Sequence, residues 1–202
     1  MSAELISSVD GRAIPLRGDD IDTDRIIPAR YLRTVSFENL EHHVFEDDRK
    51  TVAHPFDDAR FAGARVMLVH SNFGCGSSRE HAGQAIYRRG IRMIIGVSFS
   101  DIFFGNAALI GLPCVAATRE HVDALMALVE THPATSVRVD LATLTCQAGA
   151  FSCPVHMPAA ARDAFVSGAW DTTGMLMDRF DEVRAVADRL PYVNAFSGPR
   201  PA

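Results

Sequence analysis

Between residues 65 and 130, strand-like and helix-like patterns of hydrophobic residues alternate along the chain. Short apolar runs, each suited to a buried strand, are separated by longer segments in which apolar residues recur at helical spacing. Gly90 is placed to end the first of these helices, and Ser100 to cap the second. The predicted strands are 65–70, 92–97 and 114–117, and the predicted helices are 79–89, 100–109 and 119–130. This β-α-β-α-β-α order is typical of a parallel sheet with crossover helices.

The patterns on either side of this core indicate other pairings. Residues 136–141 and 144–147 alternate with period two, and a turn returns the chain through 151–156, which predicts antiparallel strands. The other predictions are an edge strand or hairpin start at 5–9, a helix at 36–45 capped by Ser36, a charged loop at 46–60, and helices at 159–167 and 181–190. The predicted fold class is α/β, with a mixed sheet that combines a parallel β-α-β core with antiparallel strands. One domain is expected over residues 1–190, followed by a tail over 191–202.

Composition narrows the classes of function. The chain has 202 residues, 48% of them hydrophobic, and a formal net charge of -5, which indicates a folded globular protein. Its one lysine is Lys50 and its arginines are scattered, which argues against nucleic acid or an anionic membrane as a partner. No apolar run is long enough to span a bilayer. The start of the chain lacks a basic signal region, so a cytoplasmic protein is expected.

The cysteines do not form a metal-binding pattern. Four of them lie far apart, and no pair has C-x-x-C spacing; they are Cys75, Cys114, Cys146 and Cys153. We therefore expect neither a disulfide framework nor a zinc or iron–sulfur site built by this chain alone.

A glycine-rich turn between a predicted strand and a predicted helix is the candidate site. Ligands of open α/β sheets bind at the carboxyl ends of the strands, and a helix start offers free N–H groups to an anion. Gly74 and Gly76 permit positive φ and close backbone approach. Arg79 adds a fork of donors that matches a carboxylate, and Ser77 and Ser78 add hydroxyls. Together these residue types describe a pocket for a small carboxylic acid.

A purely structural interpretation of the same turn carries equal weight. Ser77 and Glu80 have the spacing of a capping box, and the glycines would then only make a tight turn. The phosphate-binding, dinucleotide-binding and hydrolase-elbow motifs are all absent. A stand-alone hydrolase that uses Ser77 or Cys75 has no Asp/His pair placed by the sequence.

Three motifs resemble the swivelling domain of the aconitase superfamily, a β/β/α-type domain. Residues 76–81 read Gly-Ser-Ser-Arg-Glu-His, which looks like that superfamily's signature. Residues 21–28, Ile-Asp-Thr-Asp-Arg-Ile-Ile-Pro, and residues 98–103, Ser-Phe-Ser-Asp-Ile-Phe, are similar to its two other blocks and occur in the same order. In the isopropylmalate dehydratases this domain is a separate small chain of about this length.

The resemblance implies a hydro-lyase subunit that acts only with a large subunit, as a heterodimer or heterotetramer. The family dehydrates and rehydrates a small branched hydroxy acid, here 3-isopropylmalate and 2-isopropylmalate of leucine biosynthesis. It implies Ser77 as an alkoxide base and Arg79 as the group that binds substrate carboxylate and stabilises the Ser77 oxyanion. Ser78 and Gly76 would contact the substrate. A [4Fe–4S] cluster on the large subunit would act as Lewis acid, and this chain would bind no metal.

Residues 31–34, Tyr-Leu-Arg-Thr, look like the specificity-loop tetrapeptide that part of the family associates with isopropylmalate. Leu32 or Arg33 would then meet the variable side chain of the substrate; otherwise Leu32 packs in the core and Arg33 is a surface charge. Asp22 and Asp24 are expected to cap and brace this region through hydrogen bonds to backbone N–H groups.

The sequence departs from the family where Gly83-Gln84 replaces an apolar pair and where Phe104-Gly105-Asn106 replaces two polar amides. Two alternatives therefore stay open beside the leading one. The first is a paralogous dehydratase subunit for citramalate, dimethylmalate, homocitrate or another branched malate. The second is a non-catalytic carboxylate-binding assembly module that keeps the turn for stability.

Overall fold

Seven strands form one mixed sheet. The computed structural model describes residues 5–33, 36–77, 79–193 and 196. In chain order the strands are β1 (Ser8–Leu16), β2 (Val66–Val69), β3 (Met93–Gly96), β4 (Cys114–Ala116), β5 (Ser136–Asp140), β6 (Thr145–Ala148) and β7 (Phe151–Pro154). Their order across the sheet is β4-β3-β2-β1-β5-β6-β7. The predicted α/β class, with parallel and antiparallel pairing in one sheet, is confirmed.

The parallel half is the β4-β3-β2-β1 part of the sheet. All four residues of β2 and all four of β3 are buried, as expected for strands covered on both faces by crossover helices. Gly90 has a φ of 106° and follows the first crossover helix, and the Ser100 side chain accepts a hydrogen bond from Phe103 N at the start of the next. The predicted C-terminal end of the first helix and the predicted N-cap of the second are confirmed.

Strand β1 joins the two halves of the sheet. Its first part pairs antiparallel with β5, from Ser8 to Arg12, and its second part pairs parallel with β2, from Ala13 to Leu16. The prediction of an edge strand here was wrong, because a nine-residue strand is long enough to serve two different partners in succession.

The two edges of the sheet also meet. Ala116, at the end of β4, and His156, just after β7, exchange backbone hydrogen bonds of 2.8 and 2.7 Å. The sheet is therefore curled far enough for its edges to touch at this bridge. Such contact protects part of each edge from pairing with another chain.

Eight α-helices complete the described chain. They are α1 (Thr23–Ile26), α2 (Glu46–Thr51), α3 (Glu80–Arg88), α4 (Asp101–Leu109), α5 (Arg119–Thr131), α6 (Ala159–Ser167), α7 (Thr172–Asp178) and α8 (Phe180–Ala187). Single 3-10 turns lie at Ala29–Arg33, Leu40–His43, Pro55–Asp57 and Ala59–Phe61. Among the described residues, no helix is long and apolar enough to cross a membrane. Helices α7 and α8 contribute no buried residue.

Two predicted segments differ from the structure. The helix expected at 36–45 is reduced to one 3-10 turn, because Asn39 and Phe45 adopt left-handed backbone angles that stop helix growth on both sides. The loop expected at 46–60 contains α2, which has three acids in its first turn and Arg49 and Lys50 in its last. That charge order favours a helix through its dipole, and it was the signal that the hydrophobic pattern lacked. Helix α7 was not predicted.

Candidate active site

Two loops emerge side by side from the carboxyl ends of β1 and β2. The first, which we call the aspartate loop, comprises residues 18–24 and includes the first two residues of α1. The second, the serine loop, comprises residues 71–79 and runs into α3; the structure describes it except at Ser78. Because β1 and β2 are parallel neighbours, both loops lie at the same end of the sheet, where ligands of such sheets bind.

Backbone hydrogen bonds join the two loops along their length. Asp20 N donates to the Ser71 carbonyl at 3.0 Å, and Gly74 N donates to the Ile21 carbonyl at 2.8 Å. Thr23 N then donates to the Cys75 carbonyl at 2.9 Å. The serine loop is thus held as an added strand against the aspartate loop.

Each acid of the aspartate loop has a specific partner. Asp19 accepts a hydrogen bond of 2.9 Å from Ser71 N, which, with Arg119 nearby, lowers the pKa of that carboxyl. Asp20 accepts from the Asn72 side-chain amide at 2.7 Å. Asp22 caps α1 by accepting from Arg25 N at 2.8 Å, and Asp24 pairs with Arg79.

Asp24 therefore contacts a guanidinium, where the sequence predicted a backbone N–H group. The physical reason is burial. The Arg79 side chain is only 15% exposed, and a charge so withdrawn from water requires a counter-charge. The contact uses Nη1 of Arg79; its Nε and Nη2 have no hydrogen-bond partner in the described part of the chain. The edge formed by these two nitrogens thus keeps its hydrogen-bonding capacity.

Ser77 is exposed and is not the helix cap. Helix α3 begins at Glu80, and Arg79 occupies the N-cap position without a side-chain cap hydrogen bond. The capping-box interpretation of Ser77 and Glu80 is therefore wrong, because Ser77 lies too far before the first helical turn. Within residues 5–33, 36–77 and 79–193, the Ser77 hydroxyl has no hydrogen-bond partner, and its carbonyl accepts from the Thr23 hydroxyl at 3.1 Å.

The glycines of the serine loop have the backbone angles that the sequence predicted. Gly74 has a φ of 76° and Gly76 a φ of 93°. A β-carbon on Gly74 would lie 2.3 Å from the Phe103 ring and 2.5 Å from Phe103 Cβ. The Ser100 hydroxyl, which the sequence predicted only as a helix cap, donates to the Gly74 carbonyl at 2.9 Å. The start of α4 thus forms one wall of the serine loop.

Cys75 is not prepared to act as a nucleophile. Burial, followed by the nearby Asp22 carboxylate, raises the pKa of the Cys75 thiol. A hydrolytic cysteine requires the opposite shift, because the thiolate is the reactive form. The described residues also hold no group of three or more His, Cys, Asp or Glu side chains that could bind a metal ion.

The predicted specificity segment is anchored separately. Its 3-10 turn, Ala29–Arg33, follows α1 closely, with Leu32 half-buried and Arg33 exposed. Thr34 of that tetrapeptide lies outside the described residues, as does Ser78. Neither Leu32 nor Arg33 has a described hydrogen bond or ion pair to the serine loop. The structure therefore brings Gly76, Ser77, Arg79, Asp22 and Asp24 together and leaves Leu32 and Arg33 on the neighbouring turn.

Glu46, at the start of α2, fixes this turn. It accepts a hydrogen bond from the Tyr31 hydroxyl and contacts His43 Nδ1 at 2.9 Å. Tyr31 and His43 stack with ring centroids 3.9 Å apart. Lys50, then Tyr31, holds the pKa of Glu46 at about 2, below its ordinary value. The sequence did not predict Glu46 as a partner of this turn, because its contact with Tyr31 joins two segments that no local pattern links.

Comparison with known proteins agrees with this geometry. Residues 3–119 match the family described as the aconitase C-terminal domain. A 3-isopropylmalate dehydratase small subunit from Synechocystis sp. is 46% identical over 191 residues, covering 94% of this chain and 96% of that protein. The protein of the same name from Thermus thermophilus is 44% identical over 194 residues, with the same coverage.

A solved structure shares the fold. The crystal structure of 3-isopropylmalate dehydratase from Methanocaldococcus jannaschii superposes with a TM-score of 0.64 at 28% sequence identity, covering 86% of this chain and 99% of that one. The chain belongs to the aconitase C-terminal domain family. The curated relatives compared above are small subunits of 3-isopropylmalate dehydratase within it. The resemblance that the three sequence motifs indicated is confirmed.

We predict that Gly74→Ala destabilises the fold far more than Gly149→Ala. Both glycines have left-handed angles, but a β-carbon at Gly149 meets nothing within 4 Å. Both variants share a strain cost of about 1 kcal/mol, and Gly74→Ala adds an overpacking cost of about 1–3 kcal/mol against Phe103. Equal free energies of unfolding for the two variants in urea denaturation would contradict the close packing of Phe103 on the serine loop.

We predict that Glu46→Gln removes stability only where Glu46 is ionised. Since the folded pKa is lowered to about 2 from 4.5, the contribution of Glu46 is complete above pH 4.5 and is lost as the pH falls towards 2. In thermal unfolding, the Tm of Glu46→Gln should lie below that of the unsubstituted protein between pH 4.5 and 7. The difference in Tm should shrink as the pH falls from 4.5 to 3. Glu38→Gln, at an exposed position without a described ion pair, is the control. A difference that does not change with pH would refute this role.

Proposed function

We propose that this chain is the small subunit of a 3-isopropylmalate dehydratase, a hydro-lyase of leucine biosynthesis. It would interconvert 3-isopropylmalate and 2-isopropylmalate by dehydration and rehydration. The observation that carries the proposal is the placement of Ser77 and Arg79 two residues apart on the serine loop. Ser77 is exposed and caps no helix, and the half-buried Arg79 has no described hydrogen bond at Nε or Nη2. The near full-length relationship to small subunits of that name supports it.

Arg79 is the proposed carboxylate clamp. Its Nη1 is engaged by Asp24, so the edge formed by Nε and Nη2 can take a substrate carboxylate through two parallel hydrogen bonds. Burial strengthens that interaction, because the charge is poorly screened by water. The hydrogen bond that Arg79 donates to Asp24 also limits rotation of the guanidinium before substrate arrives.

Ser77 is the proposed base. It would take a proton from a substrate carbon, which requires the serine as an alkoxide. The positive charge of Arg79 and the free N–H groups at the start of α3 favour that form over the neutral hydroxyl. The backbone of Gly76, and Ser78, would add contacts to the substrate. Leu32 or Arg33, on the adjoining turn, would meet its variable side chain.

The rest of the active site belongs to a partner. The relatives' name, small subunit, implies a large-subunit partner. The donors of this chain do not suit an iron–sulfur cluster, since three of the four cysteines are buried and all four lie apart in the sequence. We therefore assign the [4Fe–4S] cluster to the large subunit of a heterodimer or heterotetramer in the cytoplasm. Lewis-acid binding of the substrate hydroxyl and one carboxylate is the chemistry that such a cluster supplies when bound.

Co-expression with an iron–sulfur large subunit tests the proposal. The purified complex should form the unsaturated intermediate from 3-isopropylmalate, followed by its ultraviolet absorbance, while this chain alone should not. Citramalate, dimethylmalate and homocitrate are assayed in parallel. Preferred turnover of one of them would make the chain a paralogous subunit, and no turnover of any branched malate by a cluster-loaded complex would exclude the enzyme.

We predict that Ser77→Ala abolishes turnover and leaves the fold intact. Because Ser77 is exposed and caps no helix, the free energy of unfolding should change by less than about 0.5 kcal/mol. Loss of the base should lower kcat by about 100-fold or more. Ser152→Ala, at another exposed serine, on β7, is the control. Full activity of Ser77→Ala would instead support the non-catalytic module.

We predict that Arg79→Lys raises KM for 3-isopropylmalate by about 10- to 100-fold. Lysine keeps the charge but cannot give a carboxylate two parallel hydrogen bonds, and a charge-assisted bond contributes about 1.5–3 kcal/mol. The control is Arg162→Lys, at an arginine on α6 that is paired with Asp163. An unchanged KM in Arg79→Lys would rule out Arg79 as the clamp.

A further inference from the structure

Thr23 is a buried polar residue between the two acids that brace the site. It is the first residue of α1 and only 2% exposed. Its backbone N–H donates to the Cys75 carbonyl at 2.9 Å, and its hydroxyl donates to the Ser77 carbonyl at 3.1 Å. One small residue therefore holds two alternate carbonyl groups of the serine loop.

We propose that Thr23 is a positioning residue for Ser77. This inference rests on the proposed function, in which Ser77 is the base. In the described part of the chain, the bond from the Thr23 hydroxyl is the one hydrogen bond that Ser77 makes. Gly76, with a φ of 93°, precedes Ser77, and α3 begins only at Glu80. Among the described residues, no helix or strand includes Ser77 and no other hydrogen bond fixes it.

Helix α1, which carries Thr23, is anchored to the core. Asp22 caps α1 through Arg25 N, and Ile26 and Ile27, at the end of that helix, are fully buried in the core. The Ile26 carbonyl also accepts a hydrogen bond of 2.9 Å from Phe45 N. Thr23 is thus held against the core, and the hydrogen bond from its hydroxyl fixes the Ser77 backbone relative to the core.

A base of this kind depends on its position. Proton removal from carbon requires the Ser77 oxygen to meet one substrate atom in line, and a displacement of about 1 Å costs about 100-fold in rate. Substrate binding is a separate matter, because Arg79 is held by Asp24 through its own contact. Loss of the Thr23 hydroxyl should therefore affect the chemical step more than binding.

Thr23→Val and Thr23→Ser separate the hydroxyl from the shape of the side chain. Valine keeps the volume and removes the donor, whereas serine keeps the donor and loses one methyl group. In the complex with the large subunit, we expect Thr23→Val to lower kcat by about 10- to 100-fold, the range of a sub-ångström to 1 Å displacement. KM should stay within about twofold, and Thr23→Ser should retain most of kcat.

Thr131→Val is the matched control. The Thr131 hydroxyl also donates to a backbone carbonyl, that of Ala127 at 2.8 Å, but it lies in the last turn of α5. The Thr131→Val substitution removes the same kind of bond at a position that is not part of the proposed site. It should therefore leave kcat unchanged. If Thr23→Val were no slower than Thr131→Val, or if Thr23→Ser were as slow as Thr23→Val, the positioning role would be refuted.

Amide hydrogen exchange gives a second measurement that does not need turnover. Thr23→Val should increase exchange in the peptide covering residues 73–80, and Thr131→Val should not. Unchanged exchange there would overturn the inference even if turnover fell. Failure of the proposed function has a different signature, since the unsubstituted complex would then lack activity while Thr23→Val still loosened the serine loop.

Discussion

The candidate site depends on the backbone pairing between the aspartate loop and the serine loop. Without it, the serine loop would be a glycine-rich segment with many accessible conformations, and fixing each residue costs about 1–2 kcal/mol in entropy. The pairing exists because β1 and β2 are parallel neighbours and both loops leave the sheet at the same end. Gly74 contributes by admitting the Phe103 ring, which closes the loop from the side of α4.

Four unpaired aspartates would repel an anionic substrate from the proposed site. The structure gives each carboxylate a donor, three of them in the serine loop and the fourth in α1. Asp19 accepts from a backbone N–H, Asp20 from an amide, Asp22 from the start of α1, and Asp24 from Arg79. Of these contacts, only the one with Asp24 offsets the positive charge of Arg79 that a substrate would meet. That contact leaves one edge of the guanidinium without a hydrogen bond.

The parallel core and the turn chemistry were predictable because local patterns determine them. Strand runs, the Ser100 cap and the positive φ of Gly74 all follow from residues close together in sequence. Contacts between distant segments were not predictable in this way. Thr23 looked unremarkable in a polar loop, and its hydrogen bond to the Ser77 carbonyl joins residues that lie 54 positions apart in the chain.

The same geometry fits the proposal that this chain is one half of a catalyst. Arg79 is largely withdrawn from water, but Ser77 and Asp24 are exposed. An alkoxide is stabilised well only where preorganised donors act in a site that excludes water, and nothing in the described residues covers Ser77. In the proposed mechanism, the large subunit would supply the surface that excludes water from Ser77. If Ser77 became a competent base only when that subunit docked, it would not act on metabolites beforehand.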